Sequence, residues 1–285
     1  KTALRVCGDD GNTLLHLCAR HQHEECFEWL IARGANPQQN NDAGALCSEL
    51  AVEVGNENIL RQVLVRNKAR GLLLSYDPDG HTVLHLALLK RNPVLVKTIL
   101  EHCTSDSLVF KPQGVNPALH LAVEIQGMEE LIPDFAAAGV ALHQTNVDGL
   151  TALHLAAKLG RSRCVTLLRS VGADCNATTS SGITPLHIAA GLGDPDVIKA
   201  LCGPVSNGAP GALLTCRDVL GNSPLHIAAA ASAKPGALEL AELYRMHAPH
   251  FAHARNSAGD SPVTIAKQEN DSQAFLTRLF GSETG

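Results

Sequence analysis

The chain has 285 residues, 23 Lys+Arg against 28 Asp+Glu, and a formal net charge of −5, which argues against a general nucleic-acid binder. Apolar residues make up 45% and aromatic residues only 3%, so the chain can build an aliphatic core but has few rings for stacking on bases or sugars. No uncharged apolar run reaches the length of a membrane span. The nine cysteines, at 7, 18, 26, 47, 103, 164, 175, 202 and 216, are odd in number and form no Cys-x-x-Cys pair. They predict reduced thiols in an intracellular compartment, cytoplasmic or nuclear. A chain that opens on Lys1 without a leader is expected to be a piece of a longer protein.

A short motif then recurs along the chain. It runs Thr13-Leu14-Leu15-His16, Thr82-Val83-Leu84-His85, Pro117-Ala118-Leu119-His120, Thr151-Ala152-Leu153-His154, Thr184-Pro185-Leu186-His187 and Ser223-Pro224-Leu225-His226. Two copies lack the histidine, placing Glu49 and Thr264 in its column. The column (16, 49, 85, 120, 154, 187, 226, 264) steps by 33 to 39 residues, the mark of a repeat architecture. In each repeat Thr or Ser can cap a helix, and Pro suits its first turn. Small residues follow, and Gly55, Gly160 or Gly193 ends the helix. Asn92-Pro93 and Asp194-Pro195 open a second helix, and Gly34-Ala35-Asn36 and Gly172-Ala173-Asp174 mark a turn toward the next repeat. Neither helix is long enough to stand alone, so stacking must bury their apolar faces.

Three departures stand out. Pro133 falls inside a second helix and should kink it. Residues 203–217 replace a tight turn with a Gly/Pro-rich insertion. Residues 268–280 read as a closing element with Phe275, Leu276, Leu279 and Phe280 turned inward.

Residues 146–178, from Asn146-Val147-Asp148-Gly149 through Gly172-Ala173-Asp174-Cys175-Asn176, resemble a full ankyrin repeat, and the likeness extends over roughly 8–280. The resemblance implies an all-α ankyrin-repeat solenoid of about eight helix-turn-helix units with hairpin-like tips. The expected single domain is 1–285, with repeats near 8–40, 41–76, 77–111, 112–145, 146–178, 179–217, 218–253 and 254–280. It also implies a protein-recognition scaffold, monomeric as an isolated domain, with no enzyme activity, cofactor, nucleic-acid partner or membrane insertion. Asn36 and Asn176 stand near positions where the family can carry asparagine hydroxylation; a turn-stabilising role is the plainer reading.

A histidine repeated at the structural period is expected to hold the stack together, since a catalytic site needs one histidine in one place. His247, His250 and His253 sit close in sequence, but Pro249 interrupts them and no Cys or acidic ligand adjoins, so no metal site is expected. Most cysteines, Cys26, Cys164 and Cys202 among them, read as small buried hydrophobes. There is no phosphate loop and no nucleophile elbow.

In ankyrin repeats the usual partner surface is the row of tips and the inward face of each first helix. At five such positions per repeat, ten of fifteen residues are polar in repeats one to three but only five of fifteen in repeats five to seven. The expected partner site is therefore Val147, Asp148, Leu150, Lys158, Leu159, Ser181, Ile183, Leu192, Val219, Leu220 and Asn222. Two alternatives remain open: these side chains pack between neighbouring tips, or the 203–217 insertion folds over them. Residues 1–60 carry nine Asp/Glu against four Lys/Arg, enough to steer a basic partner or simply to keep that face soluble.

Overall fold

The computed structural model describes residues 10–67, 79–102, 115–203, 211–269 and 272–281. The chain divides into two compact units, Lys1–Ala141 and Leu142–Gly285.

In the first unit the described helices are α1 (Leu14–Arg20), α2 (Glu24–Ala32), α3 (Cys47–Val54), α4 (Glu57–Asn67), α5 (Val83–Leu89), α6 (Pro93–His102), α7 (Ala118–Glu124) and α8 (Ile132–Ala137). They form two layers. The first helices α1, α3, α5 and α7 pack in succession, and so do the second helices α2, α4, α6 and α8. The second unit repeats the plan with α9 (Ala152–Lys158), α10 (Ser162–Ser170), α11 (Pro185–Leu192), α12 (Pro195–Cys202), α13 (Pro224–Ala230), α14 (Pro235–His247), α15 (Pro262–Gln268) and α16 (Gln273–Phe280). Here α9, α11, α13 and α15 make one row and α10, α12, α14 and α16 the other.

A helix of seven residues, such as α9 or α13, does not persist in water alone. Its order comes from burial. Ala156, Ala157, Ala189, Ala190, Ala228 and Ala229 are fully buried, and these small side chains let neighbouring first helices approach closely. Val165, Leu168, Val197, Ile198, Leu201 and Leu240 are fully buried behind them.

The helix starts follow the sequence. Thr13, Thr151 and Thr184 cap their helices with the side chain accepting from the histidine N–H three residues on, and Ser261 accepts from Thr264. The Oδ1 of Asn92 accepts from the N–H groups of Val94 and Leu95, and that of Asp194 from Asp196 and Val197. Pro133 departs from expectation. It does not kink a long helix: a 3₁₀ turn, Glu129–Leu131, comes first, and Pro133 stands in the first turn of a short α8, where its missing N–H is no loss. The closing helix also differs in one residue. Phe275 and Leu279 are buried and Leu276 half-buried, but Phe280 is exposed, its ring centroid 5.7 Å from that of His253.

At the position where Gly160 follows α9 with φ +69°, Gln22 follows α1 at +60° and Arg91 follows α5 at +53°. A side chain at such a φ costs about 1–2 kcal/mol, against about 0.5–1 kcal/mol for the extra freedom glycine brings to the unfolded chain. Gln22→Gly and Arg91→Gly should therefore each stabilise the chain by a few tenths to about 1 kcal/mol in urea unfolding.

Candidate functional site

Buried histidines fix the frame. In α9, Nδ1 of His154 accepts from the Thr151 N–H at 3.3 Å and bonds the Thr151 hydroxyl at 2.8 Å. With Nδ1 accepting from an N–H, the ring proton belongs on Nε2, which donates to the Ile183 carbonyl of the next repeat at 3.0 Å. His187 does the same to Asn222 O at 3.1 Å and His226 to Ala254 O at 3.0 Å. In the first unit His16 reaches Ala45 O at 3.0 Å and His85 reaches Asn116 O at 2.9 Å. Glu49, in the same column, keeps half of the device: its Oε2 accepts from the Leu46 N–H at 3.0 Å. Thr264, in the same column, accepts from the Ser261 N–H through its Oγ1 at 2.7 Å.

This neutral, Nε2-protonated ring has an electrostatic consequence. Burial holds the pKa of His16, His154, His187 and His226 below the ordinary value of 6.5, although the carbonyl each one bonds opposes the shift. The unfolded chain then binds protons that the folded chain refuses. Stability is complete above pH 6.5 and falls as the pH drops from there toward the lowered folded values, by at most about 1.4 kcal/mol per pH unit for each histidine. Urea midpoints measured between pH 8 and pH 5 should be flat in the upper range and decline below about 6.5.

The tips of the second unit are built by one recurring device. Asn146 Oδ1 accepts from Asp148 N–H (3.0 Å) and Leu150 N–H (2.9 Å). Asp218 Oδ1 accepts from Leu220 (2.9 Å) and Asn222 (2.8 Å), and Asn256 Oδ1 from Ala258 (3.0 Å) and Asp260 (2.9 Å). Thr179 Oγ1 serves Ser181 (3.3 Å) and Ile183 (3.2 Å). Adjacent tips are then joined. Val219 N–H donates to Ser181 O at 3.0 Å, Ser257 N–H to Leu220 O at 2.9 Å, and Asn256 Nδ2 to Asn222 Oδ1 at 2.8 Å. Gly182, at φ +72°, lies where a Cβ would meet the Asp218–Val219 backbone at 3.1–3.2 Å, so a side chain there would be strained and would press on the neighbouring tip. Among the described residues the one extended pairing is a bridge between Thr145 and Thr151.

Tying the backbone inward leaves the tip side chains outward. Val147, Val219 and Leu220 are 62%, 68% and 62% exposed, and Leu159 and Leu192 at the ends of α9 and α11 are 45% and 46% exposed. Asp148, Lys158 and Ser181 are exposed beside them, while Leu150, Ile183 and Asn222 are half-buried. All eleven expected residues thus fall in the second unit, and bonding between tips leaves Val219 and Leu220 open to solvent.

Two neighbours escaped the sequence reading. Leu213, half exposed, lies inside the insertion, and its N–H donates to Asn176 Oδ1 at 2.7 Å. Arg217 stands one residue before its tip and donates to Gly221 O (2.7 Å) and Arg255 O (2.8 Å). Its place just before the turn residue Asp218 was the available signal.

The insertion splits at the described boundary, and residues 204–210 lie outside the described residues. Its two ends are clamped to second-helix residues. Buried Arg169 donates to the carbonyls of Ala200 and Gly203. Ala212 N–H donates to Leu201 O at 3.0 Å, and the Tyr244 hydroxyl donates to Leu214 O. Asn36 Oδ1 accepts from the Gln38 N–H at 3.1 Å, a turn bond.

Cys18, Cys47, Cys164 and Cys175 are buried and Cys202 and Cys216 half-buried, but Cys26 is exposed, contrary to expectation, because it sits on the outer face of α2 while Phe27 turns inward. Burial pushes the Cys47 and Cys202 thiols up to about 12. All seven described cysteines are free thiols; Cys7 and Cys103 lie outside the described residues. No group of three His, Cys, Asp or Glu is placed to hold a metal among the described residues, and His250 and His253 instead lie beside Phe251 and Phe280. No described helix is long and apolar enough to cross a membrane.

Comparison with known proteins matches the chain to the ankyrin-repeat family model in three stretches, residues 15–111, 119–211 and 168–250. The chain is 31% identical over 162 residues to the nuclear factor NF-kappa-B p105 subunit of Gallus gallus, a match covering 57% of this chain and 16% of that protein. It is 25% identical over 214 residues to the E3 ubiquitin-protein ligase KEG of Arabidopsis thaliana, covering 60% of this chain and 13% of the ligase. It thus spans a small part of the curated relatives it matches. Among solved structures, the ankyrin repeat domain of Bcl-3, described as a member of the IkappaB protein family, superposes with a TM-score of 0.52 at 23% identity, covering 94% of this chain and 99% of that one.

Proposed function

The chain belongs to the ankyrin-repeat family, and from that premise we propose that it is a non-catalytic recognition scaffold that binds a protein partner on the tips and inward helix ends of its second unit. The observation that carries this reading is the set Val147, Leu159, Leu192, Val219 and Leu220: large apolar side chains, each 45–68% exposed, on tips held by their own turn bonds, by the 181–219 and 220–257 tip-to-tip bonds and by histidine bonds between repeats. Solvent-exposed apolar side chains grouped this way mark an interaction site. A platform already rigid loses little entropy on binding. Asp148, Lys158, Ser181 and Asn222 supply a polar rim to the half-buried Leu150 and Ile183. The free thiols fit a reducing compartment, cytoplasmic or nuclear.

Val147→Glu and the pair Val219→Glu/Leu220→Glu are the direct test, because these side chains are mostly in water and their loss leaves the core intact. Affinity capture from cell extract, read by mass spectrometry against the unsubstituted chain, should lose its specific partner while the melting temperature stays within about 2 °C. An unchanged set of captured proteins would contradict the reading.

A second reading is that the chain masks a transcription factor. Its likeness to the p105 subunit and its Bcl-3-like fold favour this. The exposed acidic residues Asp10, Glu25, Glu28, Asp42 and Glu53 of the first unit would then attract a basic nuclear-localising segment. Tight, salt-sensitive, one-to-one binding of such a peptide supports it, and its absence removes it. A third reading, a regulatory module of a larger enzyme or channel, rests on the matches to the ligase and to the channel, Transient receptor potential cation channel subfamily A member 1 of Drosophila melanogaster. An appended catalytic or channel domain in the full chain is the observation that decides it.

A further inference from the structure

The apolar side chains exposed on the second unit have cations held beside them. Lys158 ends α9 next to Leu159. The Lys234 Nζ donates to the Gly191 carbonyl at 2.6 Å, which sets its ammonium beside Leu192 at the end of α11. Arg217 donates to Gly221 O at 2.7 Å and to Arg255 O at 2.8 Å, so its guanidinium lies at the base of the Val219–Leu220 tip. Arg255 repeats the device one tip further on, donating to Gly259 O at 3.2 Å. All four cations are exposed, and among the described residues none of them forms an ion pair with a carboxylate. Carbonyl bonds fix three of them in place without supplying a counter-ion.

The carboxylates of the same repeats are turned to the backbone. Asp174 Oδ1 accepts from the Asn176 N–H, Asp194 Oδ1 caps α12, and Asp218 Oδ1 accepts from the N–H groups of Leu220 and Asn222. Among tip residues 146–150, 179–183 and 218–222 and helix-end residues 158–160 and 191–193, Asp148 is the one exposed carboxylate. The tips of the first unit carry exposed Asp10, Asp42 and Asp79 instead, so cations beside the tips are not a general property of these repeats. Fixed cations set among exposed leucine and valine complement a segment that mixes carboxylates with apolar side chains. A guanidinium can bind a carboxylate through two parallel N–H groups, and the same charges repel a basic segment.

We propose that the partner segment recognised by the second unit is acidic and apolar together. Its apolar side chains rest on Leu159, Leu192 and the Val219–Leu220 tip, and its carboxylates meet Lys158, Lys234, Arg217 and Arg255. This inference rests on the partner site proposed above and adds the chemistry of what fills it. In polyproline-II geometry every third residue returns to the same face about 9 Å further on, close to the roughly 8–10 Å between packed helices. A repeated Glu-Leu-Glu triplet therefore offers one leucine to each successive repeat of the stack.

The probe is a fluorescein-labelled peptide of five Glu-Leu-Glu triplets, with Lys-Leu-Lys and Glu-Ser-Glu peptides of equal length as controls. Fluorescence anisotropy against the full 285-residue chain should show the Glu-Leu-Glu peptide binding at least about tenfold more tightly than either control. Raising salt from about 50 to about 300 mM should weaken that binding several-fold. Lys158→Glu and Arg217→Glu should each weaken it about fivefold or more, and Arg217→Lys should retain most of it. Lys158 is exposed and its side chain bonds nothing else among the described residues, so Lys158→Glu keeps the fold even where Arg217→Glu loosens its tip; an unchanged melting temperature confirms this. Val219→Ser/Leu220→Ser removes apolar contact without adding charge and should also weaken binding about tenfold. If the Lys-Leu-Lys peptide binds as well or better, and Val219→Ser/Leu220→Ser still abolishes its binding, the partner site stands and its acidic specificity is overturned. Binding of the Glu-Leu-Glu peptide that ignores Val219→Ser/Leu220→Ser overturns both. Absence of binding by any of the peptides overturns the acidic specificity alone, while partner capture continues to test the site. Binding that appears only when residues 204–210 are replaced by a short Gly-Ser link would assign the surface to the chain's own insertion and overturn the proposal.

Discussion

Gly236→Ala is expected to destabilise the second unit by about 2–4 kcal/mol, the largest effect of any single-methyl addition considered. Gly236 lies in the first turn of α14, behind Pro235, and is buried. Its N–H donates to the Gly193 carbonyl at 2.9 Å, which brings the start of α14 against the end of α11. A Cβ at 236 would press on the Gly193 carbonyl carbon, 2.6 Å from its oxygen and 2.9 Å from the Asp194 N–H nitrogen. These are backbone atoms of two helix ends and cannot swing aside as a long side chain would. The Asp194 cap on α12 is part of what would have to move. Urea unfolding of Gly236→Ala beside Gly149→Ala separates packing from glycine conformation, because a Cβ at 149 meets nothing within 4 Å although its φ is +76°. The second variant should lose only the strain of a left-handed alanine, about 1–2 kcal/mol.

His154→Ala and His187→Ala are expected to cost about 2–4 kcal/mol each. Each removes a fully buried ring and leaves a threonine N–H and hydroxyl and a carbonyl of the next repeat without their partner. The loss falls on the joint between repeats, so unfolding should also become less cooperative, with a lower urea dependence. Thr264→Ala is the useful contrast. Thr264 occupies the same column but is exposed and bonds only Ser261, so its removal should cost about 1 kcal/mol. Equal losses at all three positions would show that the ring acts only within its own helix.

Most of this frame was legible in the sequence because it rests on local rules. Thr-Pro at a helix start, a glycine after its end and an Asn or Asp opening a turn each act within four residues of chain, and the structure places them as expected at Thr184-Pro185, Gly193 and Asp194. The misreadings share a different cause. Pro133 was read against an ideal helix length, whereas the chain spends three residues in a 3₁₀ turn before α8 begins. Cys26 and Phe27 are adjacent, and adjacency says nothing of which points inward; on a helix they diverge by about 100°. Phe280 is the last residue of its helix and falls off the face that buries Phe275 and Leu279. Leu213 left no local signal because its contact is to Asn176, and Arg217 left only its place before Asp218, because its longer-range contact is to Arg255, each nearly forty residues away. The candidate site was half legible: its positions follow from the repeat register, but exposure of Val219 beside half-buried Ile183 depends on how the tips lean together.

The most direct test of the scaffold reading is hydrogen–deuterium exchange of the chain with and without the protein it captures. The account predicts added protection in peptides spanning 147–150, 181–192 and 219–222, with the histidine-bonded helix starts, already slow, left unchanged. Protection confined to other residues, with these peptides exchanging as freely as before, would contradict it.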